Sequence, residues 1–382
     1  MSITSRNIRI DLMRGISILL VLFHHFNIAY RLDDTSLSRI FGWDVIRAVA
    51  RNGNYGVTMF FVISGYLITT NANRRWNGLA NIHAEAFYGL RAARILPSLF
   101  LLLISVNMLA LSGIEIFQNH SPNGTPPSFW TVNLASLTFW MNVLISRDGW
   151  VNYPLGVLWS LSVEEVFYLT FPILCIVFRR ESRLVAFWIV IIIIGPLYRL
   201  MCQGSEDGFL YAYFACFDGI AIGCCTALLA KRVSLHGPKL TILQAVVMIA
   251  MVSLYLFRPI GQTNVLGVTA MALGTALLLL GTYYRPSSFF VERSRTVAVL
   301  GWFGKLSYEL YLFHLIVLGA MRSIFSPRAV TGDEKLVLLV CFLLFSAGLS
   351  VLIARLYAEP LNRNIRLRLF GRRTEIIPAQ QL

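Results

Sequence analysis

The chain has 382 residues, of which 57% are hydrophobic and only 14% are charged. That balance excludes a soluble domain of this length and predicts an integral membrane protein. The formal charge of +14 comes from basic residues in short clusters between apolar runs. Such clusters are typical of membrane topology, so we do not expect a nucleic-acid partner. The six cysteines follow neither metal-ligand nor secreted disulfide spacing, so we interpret them as packing residues and predict no metal site.

The first apolar run, NIRIDLMRGISILLVLFHHF (residues 7–26), contains ionisable residues inside a segment long enough to cross a membrane. No small-residue cleavage site follows it, so we expect a retained first span rather than a signal peptide. Arg14 and His25 are eleven residues apart, which places them within ~20° of one helix face and ~16 Å apart along the axis. His24 points about 100° away and is the better candidate for a packing histidine. Asp11 either orients Arg14 or begins the helix.

Eleven segments are candidate spans, since each has a mainly apolar run near the 20 residues that a bilayer requires. The positive-inside rule is satisfied if residues 130–145, which are short and polar, form a re-entrant or interfacial helix. The sequence therefore predicts an all-α, polytopic protein with about ten transmembrane helices and both termini in the cytoplasm; the opposite case, in which residues 130–145 span, stays open. The candidate segments are 10–29, 54–72, 96–114, 129–145, 157–178, 184–201, 209–229, 241–257, 265–283, 300–325 and 336–357.

A second group of ionisable residues lies in LWSLSVEEVFYLTFPIL (residues 158–174). By the parity of the spans, this helix runs inward from the outer face, which puts Glu164 at the depth that we estimate for His25. A carboxylate beside a histidine can hold the ring in one tautomer while the ring takes a proton from a hydroxyl. A structural Glu–His pair between helices would give the same pattern, and the sequence leaves open whether Glu164 or Glu165 faces His25.

Five ordered segments of the chain resemble the membrane acyltransferase-3 family over nearly its whole length: residues 7–26, 53–70, 87–100, 158–174 and 303–318. The resemblance implies transfer of an acyl group, usually acetyl, from cytoplasmic acyl-CoA to a hydroxyl of a glycan, a lipid-linked sugar or a related envelope molecule such as lipopolysaccharide. The family's arginine followed by ten residues and a histidine corresponds to Arg14 and His25.

Two other family motifs are present. The Trp-Ser-Leu-x-x-Glu motif corresponds to Trp159, Ser160, Leu161 and Glu164, and the Arg-x-x-Arg before a proline corresponds to Arg91 and Arg94. The resemblance makes His25 and Glu164 the catalytic candidates, and Trp159 and Ser160 the substrate-binding candidates. Arg14, Arg91 and Arg94 are the candidates for binding the donor's phosphates.

The chain departs from the family pattern where an arginine often precedes Asp218, because Cys216 and Phe217 occupy those positions. We therefore assign Asp218 a structural role at most. We also expect His314 to be a packing histidine. The economical interpretation is a single membrane domain over residues 1–382, with a basic cytoplasmic tail at 359–382 and no fused extracytoplasmic domain.

Two functions stay open at this stage. The first is a membrane O-acyltransferase in the bacterial inner membrane, with His25 as the general base, acetyl-CoA as a co-substrate and no permanently bound cofactor. The second is a transporter or flippase for an amphiphilic envelope precursor, whose intramembrane charges bind substrate without bond chemistry. Membrane lipids are partners on either hypothesis, while the acceptor hydroxyl, the exact acyl group and the oligomeric state are not readable from the sequence.

Overall fold

The computed structural model describes residues 7–121, 124–233, 237–280 and 294–370, and within these ranges the chain is helical with no β-strand. The all-α prediction is therefore confirmed. The helices are α1 (Ile8–Ala29), α2 (Ser36–Phe41), α3 (Trp43–Ala50), α4 (Asn54–Arg75), α5 (Ala84–Leu111), α6 (Phe129–Leu137), α7 (Met141–Asp148), α8 (Leu158–Phe178), α9 (Glu181–Met201), α10 (Glu206–Tyr211), α11 (Tyr213–Arg232), α12 (Pro238–Phe257), α13 (Ile260–Leu279), α14 (Arg295–Lys305), α15 (Ser307–Ile324), α16 (Glu334–Ile353) and α17 (Glu359–Phe370).

Eight helical segments in the described ranges are long and apolar enough to cross a membrane, which identifies a polytopic membrane protein. Helices α4 and α15 have 22 and 18 residues but are more polar, and both line the central cavity described below. Their polarity is physically reasonable because they face protein and cavity rather than lipid. Counting them gives the expected ten, although the number that actually span stays a prediction.

Residues 129–148 do not form a spanning helix. Helices α6 and α7 have nine and eight residues, or about 14 and 12 Å of length, against a hydrocarbon core of about 30 Å. Helices α5 and α8 are antiparallel neighbours: the Tyr88 hydroxyl donates to the Leu169 carbonyl, and Arg91 pairs with Glu165 one turn further along. The C-terminal end of α5 and the N-terminal end of α8 therefore lie on the same side of the helical bundle. The chain that joins them does not cross the bundle, as expected for a re-entrant or interfacial segment.

Glycines allow two pairs of helices to approach closely. A Cβ atom built on Gly15 of α1 would lie 2.0 Å from the Leu300 carbonyl oxygen of α14, and one on Gly304 would lie 1.8 Å from the Asp11 carbonyl oxygen. Gly65 of α4 and Gly223 of α11 meet in the same way. Such small residues let backbones pack directly where lipid supplies no hydrophobic driving force.

Asp218 has the structural role that we expected. It lies on α11 and forms a fully buried ion pair with Arg199 of α9, with a distance of 2.7 Å between Nη2 and Oδ2. Thr269 of α13 donates to the same carboxylate, so the network joins three helices. The arginine absent from the position before Asp218 is supplied here by a neighbouring helix.

The C-terminal helix α17 packs against α5 and follows a short π-helical turn at Ala354–Ala358. The expected basic tail is thus an ordered helix as far as residue 370, and the rest of that predicted tail, residues 371–382, lies outside the described residues.

Candidate functional site

A cavity of about 130 Å³ lies at the centre of the bundle. Five helices contribute its walls: α1, α4, α5, α8 and α15. The structure brings five of the predicted site residues together on its lining, namely Arg14, Arg91, Arg94, Ser160 and Glu164. Residues separated by up to 150 positions in the sequence therefore share one chamber, and three of the five carry a permanent positive charge.

Arg91 is fixed to the wall by two contacts. Its Nη2 donates to Glu165 Oε1 at 3.1 Å, and its guanidinium carbon lies 3.8 Å from the centre of the Tyr168 ring. Its Nε is buried and has no hydrogen-bond partner among the described residues. Arg91 thus has a defined orientation and keeps donor capacity for a ligand.

Arg14 and Arg94 approach the cavity from α1 and α5. The Nε of Arg14 donates to Ser307 Oγ at 3.1 Å, which ties α1 to the start of α15. The guanidinium of Arg94 lies 5.5 Å from the centre of the Tyr308 ring. A planar guanidinium supported on an aromatic face presents its edge, and therefore its donors, to the open space.

Glu164 lies among these arginines and not beside His25, so the predicted His25–Glu164 pair is wrong. The Glu164 carboxylate is hydrogen-bonded to Ser64 and interacts with the charges of Arg91 and Arg14. In the structure Glu164 and Arg14 line the same cavity, so α8 brings Glu164 beside Arg14 and not beside the His25 end of α1. The sequence could not show this, because the offset between α1 and α8 along their axes is set by tertiary packing.

The partner of His25 is His314 of α15. His25 Nδ1 lies 3.2 Å from His314 Nε2 and 3.0 Å from the Val21 carbonyl oxygen. His314 is fully buried, and its Nδ1 lies 3.0 Å from the Leu310 carbonyl oxygen and 2.8 Å from that of Tyr311. His314 is thus buried, as the packing role suggested by the sequence requires, and it also bonds α15 to α1 through His25.

These contacts assign the tautomers. Two carbonyl oxygens at His314 Nδ1 require that this nitrogen carry the proton, so His314 Nε2 holds a lone pair. His25 Nδ1 then carries a proton and donates to His314 Nε2 and to Val21. The remaining nitrogen of His25, Nε2, is left as the basic one.

His24 has a different environment, as its helical position predicted. Its Nδ1 lies 2.7 Å from the Ala50 carbonyl oxygen, so it bonds α1 to α3. A signal for His314 was present in the sequence: Ser307, Tyr311 and His314 follow the i, i+4, i+7 spacing of one helix face. Ser307 and Tyr311 line the cavity, and the ring of His314 lies 6.1 Å from that of Tyr311.

The two substrate-binding candidates occupy different places. Ser160 lines the cavity and donates to the Tyr311 hydroxyl at 2.7 Å. Trp159 instead lines a separate small cavity next to Asp218, with its ring 5.0 Å from that of Tyr211. The structure therefore places Ser160, but not Trp159, at the main cavity.

A polytopic helical protein with an arginine-lined cavity and a histidine on the same helix as one of the arginines is an arrangement suited to handling an anionic substrate within the membrane. A comparison with protein families matches residues 7–355 to the acyltransferase domain of the acyltransferase-3 family. The chain belongs to that family, which confirms the resemblance found in its motifs.

Two curated relatives extend the comparison. The chain is 25% identical over 330 residues to "Peptidoglycan O-acetyltransferase OatA" of Listeria monocytogenes, covering 80% of this chain and 48% of the relative. It is also 25% identical over 330 residues to "Putative peptidoglycan O-acetyltransferase YrhL" of Bacillus subtilis, covering 81% and 48%. The chain thus spans about half the length of these relatives. No solved structure matches it.

Proposed function

We propose that this protein is a membrane O-acetyltransferase that moves an acetyl group from cytoplasmic acetyl-CoA to a hydroxyl of a glycan or lipid-linked saccharide. The single observation that supports it best is the division of α1 into two functional ends. Arg14 lines a chamber of cations, and His25, eleven residues on, is held with its Nε2 as the basic nitrogen. The axial distance of ~16 Å between them is comparable to an extended pantetheine arm.

The cavity arginines bind the phosphates of the donor. Arg14, Arg91 and Arg94 all line the chamber, and forked guanidinium groups match phosphate oxygens in geometry as well as in charge. Glu164 and Glu165 hold this cluster in place, since Glu165 pairs with Arg91 and Glu164 lies among all three arginines. On this proposal Glu164 positions arginines and takes no proton from the acceptor.

His25 is the general base. Its Nε2 takes the proton from the acceptor hydroxyl as that oxygen attacks the thioester carbon, and the Nδ1 proton stays bonded to His314 Nε2 and to Val21. The C–O bond of the new ester forms while the C–S bond breaks, and the departing CoA sulfur takes the proton back from His25. His314 acts through His25, because it fixes the tautomer that leaves Nε2 basic.

The acceptor class is proposed from the relatives together with the chemistry of the site. The relatives are named for O-acetylation of peptidoglycan, a glycan. A base that activates a hydroxyl suits any sugar acceptor, so we propose a glycan hydroxyl and leave the particular glycan open. A bacterial cytoplasmic membrane with both chain termini inside would give such an enzyme its donor on one side and an envelope glycan on the other.

A transporter would bind its substrate without breaking a covalent bond, whereas an acyltransferase breaks the thioester of acetyl-CoA. One assay separates these two hypotheses. The purified protein in nanodiscs is given acetyl-CoA labelled in the acetyl group, with a panel of soluble oligosaccharides that includes peptidoglycan fragments. Acyl transfer predicts release of the free CoA thiol and ester-linked label in an oligosaccharide. Binding of donor without thiol release by any acceptor would favour a transporter, and the absence of acetyl-CoA binding would contradict the proposed function.

A further inference from the structure

The C-terminal helix α17 presents two different faces. Arg363 and Arg368 are exposed, while Asn362 and Arg366, which are four residues apart and therefore on one face, are each only 7% exposed. That buried face packs toward α5, the helix that carries Arg91 and Arg94. The positive charge of the helix surface does not require Arg366 to turn inward, because Arg363 and Arg368 already supply that charge on the exposed face.

Arg366 is buried among other cations. The charged side chains that act on it, among the residues that the structure describes, are Arg75 and Arg94. Arg75 is the last residue of α4, and both Arg75 and Arg94 line the cavity. The Nη2 of Arg366 is buried and has no hydrogen-bond partner in the described part of the chain. One turn earlier, Asn362 Oδ1 is also buried without a partner there.

Burying a cation beside two like charges costs free energy unless an anion balances it. Glu309 acts on Arg94 and Arg14, and Glu359 of α17 acts on Glu309. Among the residues that the structure describes, neither carboxylate is one of the charged groups that act on Arg366. Three guanidinium groups from three different helices, one of which has a donor without a partner in the described part of the chain, form a receptor for a doubly charged oxyanion.

We propose that Arg75 and Arg94, which line the cavity, and Arg366, which acts on both of them, bind a phosphate monoester, and that the group they bind is the 3′-phosphate of the CoA ribose. This rests on the proposed function, because it assumes a CoA donor. The 3′-phosphate lies at the end of CoA opposite the thioester, so a donor whose thioester points along α1 toward His25 leaves this phosphate at the end of the bundle where α4 stops. Asn362 Oδ1 lies on the same face as Arg366 and suits a ribose hydroxyl donor.

The test compares acetyl-CoA with acetyl-dephospho-CoA, which lacks only the 3′-phosphate. Dissociation constants for both donors and kcat/KM for transfer are measured with the purified protein in nanodiscs. We expect the parent protein to prefer acetyl-CoA by about tenfold or more in both quantities, as the loss of a charge-assisted contact predicts. Arg366→Gln and Arg75→Gln should weaken the binding and use of acetyl-CoA and leave those of acetyl-dephospho-CoA unchanged. The preference for acetyl-CoA over acetyl-dephospho-CoA should therefore fall toward one.

Matched controls come from the same helix. Arg363→Gln and Arg368→Gln remove the same charge from the exposed face, so they should keep the ratio of the parent protein. Arg366→Lys should recover part of the preference, since it keeps the charge and loses the fork. Repeating the series in nanodiscs of phosphatidylcholine and of phosphatidylglycerol separates a lipid headgroup from the donor as the source of the phosphate.

The outcomes are distinguishable from failure of the proposed function. If acetyl-CoA is bound and used but Arg366→Gln weakens both donors equally or neither, the 3′-phosphate assignment is overturned while acyl transfer stands. If Arg366→Gln changes donor binding only in phosphatidylglycerol nanodiscs, the 3′-phosphate assignment is likewise overturned, and Arg366 binds a lipid headgroup instead. If the parent protein binds neither donor, both the proposed function and this site are wrong.

Discussion

The two ends of α1 differ in the kind of side chain that surrounds them. At Arg14, arginines and carboxylates from neighbouring helices line an open chamber. At His25 the polar contacts are a second histidine and a backbone carbonyl. The Arg14 end is suited to binding an anion, and the His25 end holds the imidazole ring in one tautomer. We infer that binding of donor and proton transfer are separable, so a mutation at either end should affect only one of them.

The largest effect is expected at the histidine end. His25→Ala should lower the rate of acetyl transfer by about 10²- to 10⁴-fold, because it removes the general base. His24→Ala is the matched control: its ring bonds to Ala50 in α3, so its loss should lower stability and leave the rate per folded molecule nearly unchanged. Transfer is measured at equal amounts of folded protein in the membrane. The reverse ranking of the two variants would show that the wrong histidine has been assigned.

His314 gives a finer test of the same end. Gln at position 314 places an amide near the site of Nε2, whereas Asn places it near Nδ1, so only Gln can accept from His25. We expect kcat to fall by roughly tenfold or more in His314→Asn and to be largely retained in His314→Gln, with the donor KM unchanged in both. If the two variants lose activity in proportion to their loss of folded protein, His314 is only a packing residue.

At the cation end the expected effect is on the donor. Arg14→Lys should recover only part of the donor affinity that Arg14→Ala loses, about ten- to a hundredfold, because lysine lacks the guanidinium fork. Dissociation constants for acetyl-CoA provide the measurement. Equal affinities in the parent protein and in Arg14→Ala would remove Arg14 from the donor site.

Substitution of Glu164 should have a smaller effect on the kinetics of acetyl transfer. This prediction depends directly on the position of Glu164 in the structure. Because Glu164 lies among the arginines, Glu164→Gln should change the donor KM by several-fold and keep kcat within about threefold. Steady-state kinetics with varied acetyl-CoA would measure this. A hundredfold loss of kcat at constant KM would return Glu164 to the side of His25, as the sequence had suggested.

The smallest effect concerns the loop that follows α1. Hydrogen bonds from the Lys335 ammonium and from the Gly332 N–H hold the pKa of the Asp34 carboxyl below its usual value. The resulting stability is present above the unfolded-state pKa of about 3.9 and is lost as the pH falls through the folded-state pKa. Asp34 is partly exposed, so the contribution is below about 1 kcal/mol. Thermal unfolding of Asp34→Asn should show a larger loss of stability relative to the parent protein at pH 7 than near pH 3.

The sequence predicted the membrane class, most of the long helices and the re-entrant or interfacial nature of residues 130–145, because apolar runs and basic clusters are local signals. It did not predict that residues 300–325 divide into the two helices α14 and α15. It also placed Arg14 and His25 on one face, since both belong to one helix. It could not place Glu164, because the offset between α8 and α1 along their axes is set by tertiary packing and not by the sequence of either helix. The link from His25 to His314 was hidden for a related reason: two residues 289 positions apart meet only through the packing of α1 on α15.

The division of α1 is tested most directly by measuring acetyl-CoA binding and acetyl transfer on the same preparation of His25→Ala in nanodiscs. We expect a dissociation constant within about twofold of that of the parent protein and transfer reduced by at least a hundredfold. A His25→Ala protein that is folded yet has lost acetyl-CoA binding, or that still transfers acetyl at the parent rate, would contradict this expectation.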